Sequence, residues 1–440
     1  MKKITFALLF GLCALVATAQ LKTPDWVKNA TIYEVNVRQF SPSGNFAGVQ
    51  EQLPRLKEMG VDILWLMPIH PIGELNRKGT LGSYYAVRDY REVNPEFGTQ
   101  EDFTALVNAA HELGMKVILD WVANHTSPDH VWIEQGKMSW YTLDANGKVQ
   151  PTLGTDWTDV ADLNFDNKEM RQEMISCMSY WVRNNDIDGF RCDVAGWVPI
   201  DFWKEARAEL DKIKPVFMLA EAEGNELYQA FEMTYGWELH HIMNDVAQGK
   251  KDASAIHDFF AKPALPNNGF QMNFTSNHDE NSWNGTEMER LGAARFCFAV
   301  FAATIDGMPL VYNGQETSLE RRLLFFERDP IEWKRMDLVP FYDVLLNLHQ
   351  THPALIVGKG QVKPRFLTKK GDKNVLAYIR EAGDRKVVVF LNLSNQEQVI
   401  TVSDQALVGK FANLFNGQGV EMKSKHQERL APWGYTVYVR

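Results

Sequence analysis

Between residues 31 and 314 the chain alternates short apolar strand-like runs with amphipathic helix-like runs, and this alternation limits the folds open to it. "TIYEVNVRQF" (31–40) reads as a strand and "VQEQLPRLKEMG" (49–60) as a helix ending at glycine. "DILWLMPI" (62–69) is a second strand, followed by the helix "TQEDFTALVNAAHELG" (99–114), with an N-cap threonine and acids in its first turn. "KVILDWV" (116–122), "DGFRCDVA" (188–195), "VFMLAEA" (216–222), "FQMNFTSNHD" (270–279) and "MPLVYNG" (308–314) continue the strand series. Helices at 168–185, 201–213 and 289–305 lie between them. Strands separated by helices at this pitch build parallel βα units. About eight units predict an α/β fold of the closed (β/α)8 TIM-barrel type. An open doubly wound sheet is the alternative, but it calls for a glycine-rich phosphate turn after the first strand, and none is present.

Two stretches break the pattern. Residues 126–165 lack helical periodicity and follow the third strand, as a short inserted domain would. From 358 onward "NVLAYIRE", "KVVVFLNLS", "QVITVS" and "YTVYVR" predict a separate all-β sandwich over 358–440, which leaves 20–357 for the barrel. At the other end, "MKK", an apolar run and "Ala17-Thr18-Ala19" have the form of an export signal cut after Ala19. The expected location is periplasmic or secreted, with no membrane span once residues 1–19 are removed. Three cysteines then remain, Cys177, Cys192 and Cys297, without zinc or CxxC spacing, so no disulfide scaffold is expected. A formal net charge of −10 argues against a nucleic-acid partner.

The chemistry is expected where barrel strands end. The third strand ends "DWVANH" (120–125), the fourth "RCD" (191–193), the fifth "EAE" (221–223) and the seventh "NHD" (277–279). Arg191 and Asp193 lie two apart, on one face of a strand that is otherwise apolar. Two buried charges need each other or other partners. A nucleophilic serine turn, a histidine-rich metal cluster and a phosphate loop are all missing. Several carboxylates are present, and a pair of them suits glycoside hydrolysis. Arg191 would hold Asp193 ionised as a nucleophile. Glu221, ending an apolar strand, would be raised by desolvation and serve as acid.

These endings carry a resemblance. "DWVANH", "GFRCDVAGW" (189–197), "EAEG" (221–224) and "FTSNHD" (274–279) resemble, in order, the four signature regions of the α-amylase family of retaining glycoside hydrolases. "GSYYAVRDYREVNPEFGT" (82–99) resembles that family's segment after the second strand. The resemblance spans roughly residues 25–440. It implies Asp193 as nucleophile, Glu221 as general acid/base and Asp279 as the third carboxylate. It also implies Arg191, His125, His278 and Tyr85 as sugar-binding residues, with Asp120 and Asn124 shaping the third strand's end. The implied substrate is an α-1,4-linked glucan of the starch or maltodextrin type.

The chain also departs from the family. Gly196 and Trp197 stand where many members carry a Lys-His pair, so Trp197 is expected to stack on a sugar on the leaving side. Ala86 replaces an aspartate common after the stacking tyrosine. Asn124 and Asp162 are candidate oxygen ligands for a structural calcium ion. The chemistry itself requires no cofactor. A transglycosylase shares the covalent step, and a non-catalytic carbohydrate-binding protein on the same barrel would normally have lost one of the three carboxylates.

Overall fold

The structure is a computed structural model and describes residues 21–440; the expected export signal, residues 1–19, lies outside the described residues. Eight parallel strands close into a barrel: β1 (Ile32–Val35), β2 (Ile63–Leu66), β3 (Lys116–Trp121), β4 (Gly189–Cys192), β5 (Phe217–Ala220), β6 (Met233–Tyr235), β7 (Phe270–Asn273) and β8 (Met308–Tyr312). Each strand pairs with its sequence neighbours, and β8 closes on β1 through Ile32–Leu310, Tyr33–Val311 and Glu34–Tyr312. Closure excludes the doubly wound alternative.

The strands alternate between two environments, as a period of 2 requires. Ile32, Ile63, Trp65, Ile118, Phe217, Leu219, Met233, Tyr235, Met272 and Met308 form one buried cluster inside the barrel. Tyr33, Val35, Leu64, Leu66, Val117, Leu119, Phe190, Met218 and their helical neighbours form the larger cluster outside it. The helix Gln100–Glu112 shows how the outer layer is held. Thr99 and Asp102 form a reciprocal capping box, and Phe103, Leu106, Val107 and Ala110 recur on one face and are buried. Each such side chain contributes about 1.5–3 kcal/mol when fully removed from water. Gly189 opens β4 because a Cβ there would lie 1.9 Å from the Phe217 carbonyl oxygen.

Some elements differ from expectation. The run at 31–40 stops as a strand at Val35, and Val37–Phe40 forms a helical turn. The helix expected over 49–60 divides into Phe46–Gln50 and Leu53–Glu58, with Pro54 in the first turn of the second piece. The helix expected over 289–305 divides at Gly292, which has φ +54°. β6, only three residues long, was not anticipated.

Within 126–165 the only strand pairing is His125–Thr126 against Ala161–Asp162, supplemented by isolated bridges. The C-terminal region is an unequal sandwich. One sheet has six strands, including Val375–Ala382, Arg385–Asn392 and Tyr435–Val439, and the other pairs Gln398–Ser403 with Lys425–Leu430. Ile379, Val388, Phe390, Ile400, Val402 and Leu430 fill the space between the sheets. Cys177, Cys192 and Cys297 are buried and free. Among the described residues no helix is long and apolar enough to cross a membrane.

Candidate active site

The inward-facing positions at the C-terminal ends of the strands change from apolar to charged. In β1, Ile32 is followed two residues on by Glu34; in β3, Ile118 by Asp120. In β4, Gly189 is followed by Arg191 and, just past the strand, Asp193; in β5, Leu219 is followed by Glu221, just past its end. The barrel therefore lifts these side chains out of one apolar interior into one polar cluster.

Arg191 is the centre of that cluster and is fully buried. Its Nη1 donates to Asp120 Oδ1 at 2.8 Å and to Asp193 Oδ1 at 2.9 Å. Its Nε donates to Tyr235 Oη at 3.1 Å, and Nη2 lies 2.8 Å from Glu221 Oε1. The rings of Trp65, Tyr85 and Tyr235 surround the guanidinium at 5.0–5.8 Å. The sequence argument gave Arg191 one partner; the structure gives it three. One cation cannot neutralise three carboxylates, so their proton affinities are pushed up and apart. Burial raises Asp193 to about 6, against the opposing pull of Arg191, with Asp120 adding to the rise. Burial raises Glu221 further, to about 8, again against Arg191 and helped by Asp193. Desolvation outweighs the pull of Arg191, yet Asp193 remains ionised at neutral pH.

Glu221 is also held by the backbone. Its Oε2 accepts the Val194 N–H at 2.8 Å. Val194 has φ +38° and ψ +42°, a left-handed conformation that a β-branched residue resists, at a cost of about 1–3 kcal/mol. The strain turns this N–H, immediately after Asp193, toward the neighbouring strand's glutamate.

A second chain of contacts crosses the barrel. His278 Nδ1 donates to Glu34 Oε1 at 2.5 Å, and its Nε2 is 2.8 Å from Tyr85 Oη and 3.2 Å from Asp279 Oδ2. Tyr85 Oη donates to Asp120 Oδ2 at 3.1 Å, as does Trp65 Nε1. Asp279 and Glu34 outweigh the burial of His278 and raise it to about 9, so both ring nitrogens carry protons at neutral pH. His125, by contrast, is driven down to about 4 by burial and is neutral. The Asn124 amide lies 3.2 Å from its Nδ1 and donates to it, which leaves the proton on Nε2.

Asp193, Glu221, Asp279, His125, His278 and Tyr85 line one cleft of about 640 Å³, with Trp157, Trp283, Phe325 and Phe326 on its walls. Arg191 lies beneath it. Trp197 does not line this cleft. It is 55% exposed, stacks on Trp157 at 5.5 Å, and borders an adjoining recess of about 390 Å³.

Asn124 and Asp162 share that recess. Asn124 turns its amide nitrogen to Thr152 and His125, and Asp162 accepts from Thr142 Oγ1. One carboxylate and one amide fall short of the six to eight oxygens calcium takes. Among the described residues no group of three or more His, Cys, Asp or Glu converges for a metal. Asn124 and Asp162 alone do not complete a calcium site, and no chemical step is routed through one.

Sequence reasoning missed Glu34, Tyr235, Trp157, Trp283, Phe325 and Phe326. Only Glu34 carried a signal, as a lone charge inside an apolar strand.

Residues 23–336 match the family described as the alpha amylase catalytic domain, and residues 365–437 match the maltogenic amylase C-terminal domain. The crystal structure of an alpha-amylase from Lactobacillus plantarum is 35% identical, with a TM-score of 0.84 over 94% of this chain and 99% of that one. A noncanonic maltogenic alpha-amylase from Thermotoga neapolitana is 32% identical, with a TM-score of 0.83 over 93% of this chain and 99% of its own. Alpha-amylase 3 of Dictyoglomus thermophilum is 29% identical in a gapped alignment of 450 positions that covers 86% of this chain and 88% of that protein. With the carboxylate cluster at the mouth of a closed barrel, these matches mean that the chain belongs to the alpha-amylase family of glycoside hydrolases.

Proposed function

We propose that the protein hydrolyses α-1,4-glucosidic bonds in starch or maltodextrin-type glucans with retention of anomeric configuration. One observation carries the reading: a single buried guanidinium contacts two carboxyl groups whose surroundings set them on opposite sides of neutrality, Asp193 at about 6 and Glu221 at about 8. At pH 7 the first is a carboxylate and the second an acid. Asp193 attacks the anomeric carbon while Glu221 gives its proton to the departing glycosidic oxygen. The glycosyl group is then an ester of Asp193, and Glu221 is a carboxylate. Glu221 takes a proton from water, the water oxygen attacks the anomeric carbon, and Asp193 departs. His278, held as a cation, and Asp279 bind hydroxyls of the reacting sugar, and Tyr85 stacks beneath it.

Transfer to a sugar instead of water is the second reading. Its support is the stack of exposed Trp197 on the cleft-lining Trp157, which suits an acceptor sugar. The deciding experiment follows the anomer and length of products from maltotriose by NMR and chromatography. α-Anomeric products no longer than the substrate support hydrolysis; longer ones support transfer. Undiminished activity of Asp193→Asn would end the proposed mechanism. We also propose that the protein is exported, on the strength of residues 1–19; an exported form beginning at Gln20 is the expected N-terminal sequencing result.

A further inference from the structure

Arg191 does not treat its three carboxyl partners alike. Its Nη1 donates aligned hydrogen bonds to Asp120 and Asp193, at 2.8 and 2.9 Å. Its Nη2 comes as near to Glu221, 2.8 Å from Oε1, but among the described residues Nη2 donates no hydrogen bond: its N–H groups point aside from that oxygen. A guanidinium is a rigid planar fork, so its alignment is set by whatever ties its other nitrogens. On the Nε side the tie is Tyr235 Oη, at 3.1 Å. Tyr235 ends β6 and is fully buried, its ring wedged against Trp65, Trp237 and Phe274 at centroid distances of 6.3, 5.3 and 5.6 Å. Its carbonyl accepts from Gln271 Nε2 at 3.2 Å, which fixes the backbone beneath it. Burial pushes the phenol up, so Tyr235 accepts from Arg191 as a neutral group and brings no fourth anion to the cluster.

The aligned N–H groups of Arg191 therefore go to two carboxylates, while Glu221 feels the positive charge without a hydrogen bond from it. A hydrogen bond donated to the charged form of an acid draws its proton affinity down. Withholding that bond leaves the Glu221 proton in place. The other ionisable groups around Glu221 come from every neighbouring strand end: Asp193 beyond β4, Asp120 on β3, Asp279 beyond β7 and Tyr235 on β6. Arg191 is the cation in direct contact, so the direction of its N–H groups decides how firmly Glu221 holds its proton.

We propose that Tyr235 is a positioning residue for the acid: its hydroxyl fixes the Arg191 fork so that no guanidinium N–H aligns with Glu221, which keeps the proton it gives to the departing oxygen. This rests on the glycosidase reading above. Tyr235→Phe removes the hydroxyl and keeps the ring, which frees the fork to pivot about Nη1 and bring an Nη2 hydrogen onto Glu221 Oε1. The alkaline limb of kcat/KM on maltotriose should then move down by about one pH unit. The rate loss relative to the parent should grow from less than about 2-fold at pH 6 to about 10-fold at pH 9. Carboxyl-carbon NMR, with Glu221 assigned by its absence in Glu221→Gln, should show Glu221 itself titrating at lower pH. A loss equal at every pH, with Glu221 titrating as in the parent, is what a merely structural hydroxyl would give; it overturns the proposal and leaves the glycosidase reading standing. Should Tyr235→Phe not fold, 3-fluorotyrosine in place of Tyr235 keeps the hydroxyl and the packing but accepts more weakly. It should move the limb the same way by a smaller amount, and an unmoved limb there overturns the proposal. Absence of hydrolysis by the unmutated protein at every pH overturns both.

Discussion

Replacing Glu221 by glutamine separates the chemical role of this group from its effect on stability. The side chain is 12% exposed, with one oxygen on the Val194 N–H and the other beside Arg191. Folding carries it from an ordinary 4.5 to about 8, through burial first and Asp193 after it. Between those values the folded chain holds a proton that the unfolded chain has lost. The stability linked to this group is therefore complete below pH 4.5, falls as pH rises, and is gone above about 8. At roughly 1.4 kcal/mol per pH unit the whole window is worth on the order of 5 kcal/mol.

Glutamine copies the shape of the protonated acid and has no proton to lose. Its amide faces the Arg191 donors, which subtracts a constant but adds no slope. Asp120 and Asp193 titrate in both proteins, and below about pH 8, where Glu221 is itself uncharged, they add little to the difference. Glu221→Gln should thus become steadily more stable relative to the parent from pH 5 to pH 8, while its kcat falls by about 10²–10⁴. Denaturant unfolding followed by tryptophan fluorescence at pH 5, 6, 7 and 8 measures the difference. A stability difference that does not change with pH would refute the argument that Glu221 is a buried acid, whatever happens to the rate.

The same two groups predict a bell-shaped kcat/KM. Activity falls below about pH 6 as Asp193 takes up a proton and above about pH 8 as Glu221 loses one, the two limbs belonging to the coupled set; a flat profile from pH 5 to 9 would contradict the roles given to both. Glu34→Gln removes one of the two carboxylates, after Asp279, that hold His278 charged up to about 9, so the imidazole should titrate at lower pH in an NMR titration and kcat/KM should fall about 10-fold, with partial recovery in Glu34→Asp. An unshifted His278 would mean that Asp279 alone maintains the charge. Treatment with a chelator should leave the unfolding temperature unchanged, given that among the described residues no three acidic, histidine or cysteine side chains converge on one point; a fall reversed by added calcium would place an ion in the recess of Asp162 and Asn124.

The parts that were legible in the sequence are those in which one physical cause dominates. Seven of the eight barrel strands announce themselves because each is an apolar run between helix caps. β6 does not, because Met233–Tyr235 is too short to show a period and takes its place from β5 and β7. Breaks such as Gly292 depend on a single backbone angle. At the site, Arg191 and Asp193 stood out as charges in an apolar strand, yet their proton affinities could not be read there. Those depend first on how completely the closed barrel buries the pair and then on Asp120 arriving from another strand, and burial outweighs the lowering expected from the Arg191–Asp193 pair alone. Glu34 poses the same anomaly as Arg191, a charge between Tyr33 and Val35 facing the barrel interior. Its partner, His278, is 244 residues away and reaches it only when β1 closes against β8. One Glu34 oxygen still lacks a hydrogen-bond partner in this buried position. A buried carboxylate left half satisfied is costly, and here it coincides with the group that keeps His278 a cation beside Asp279. The strained Val194 likewise coincides with the N–H that fixes Glu221. Both departures from ordinary packing fall on residues that set a proton at the site, which is where a fold shaped for catalysis departs from the lowest-energy arrangement of its own side chains.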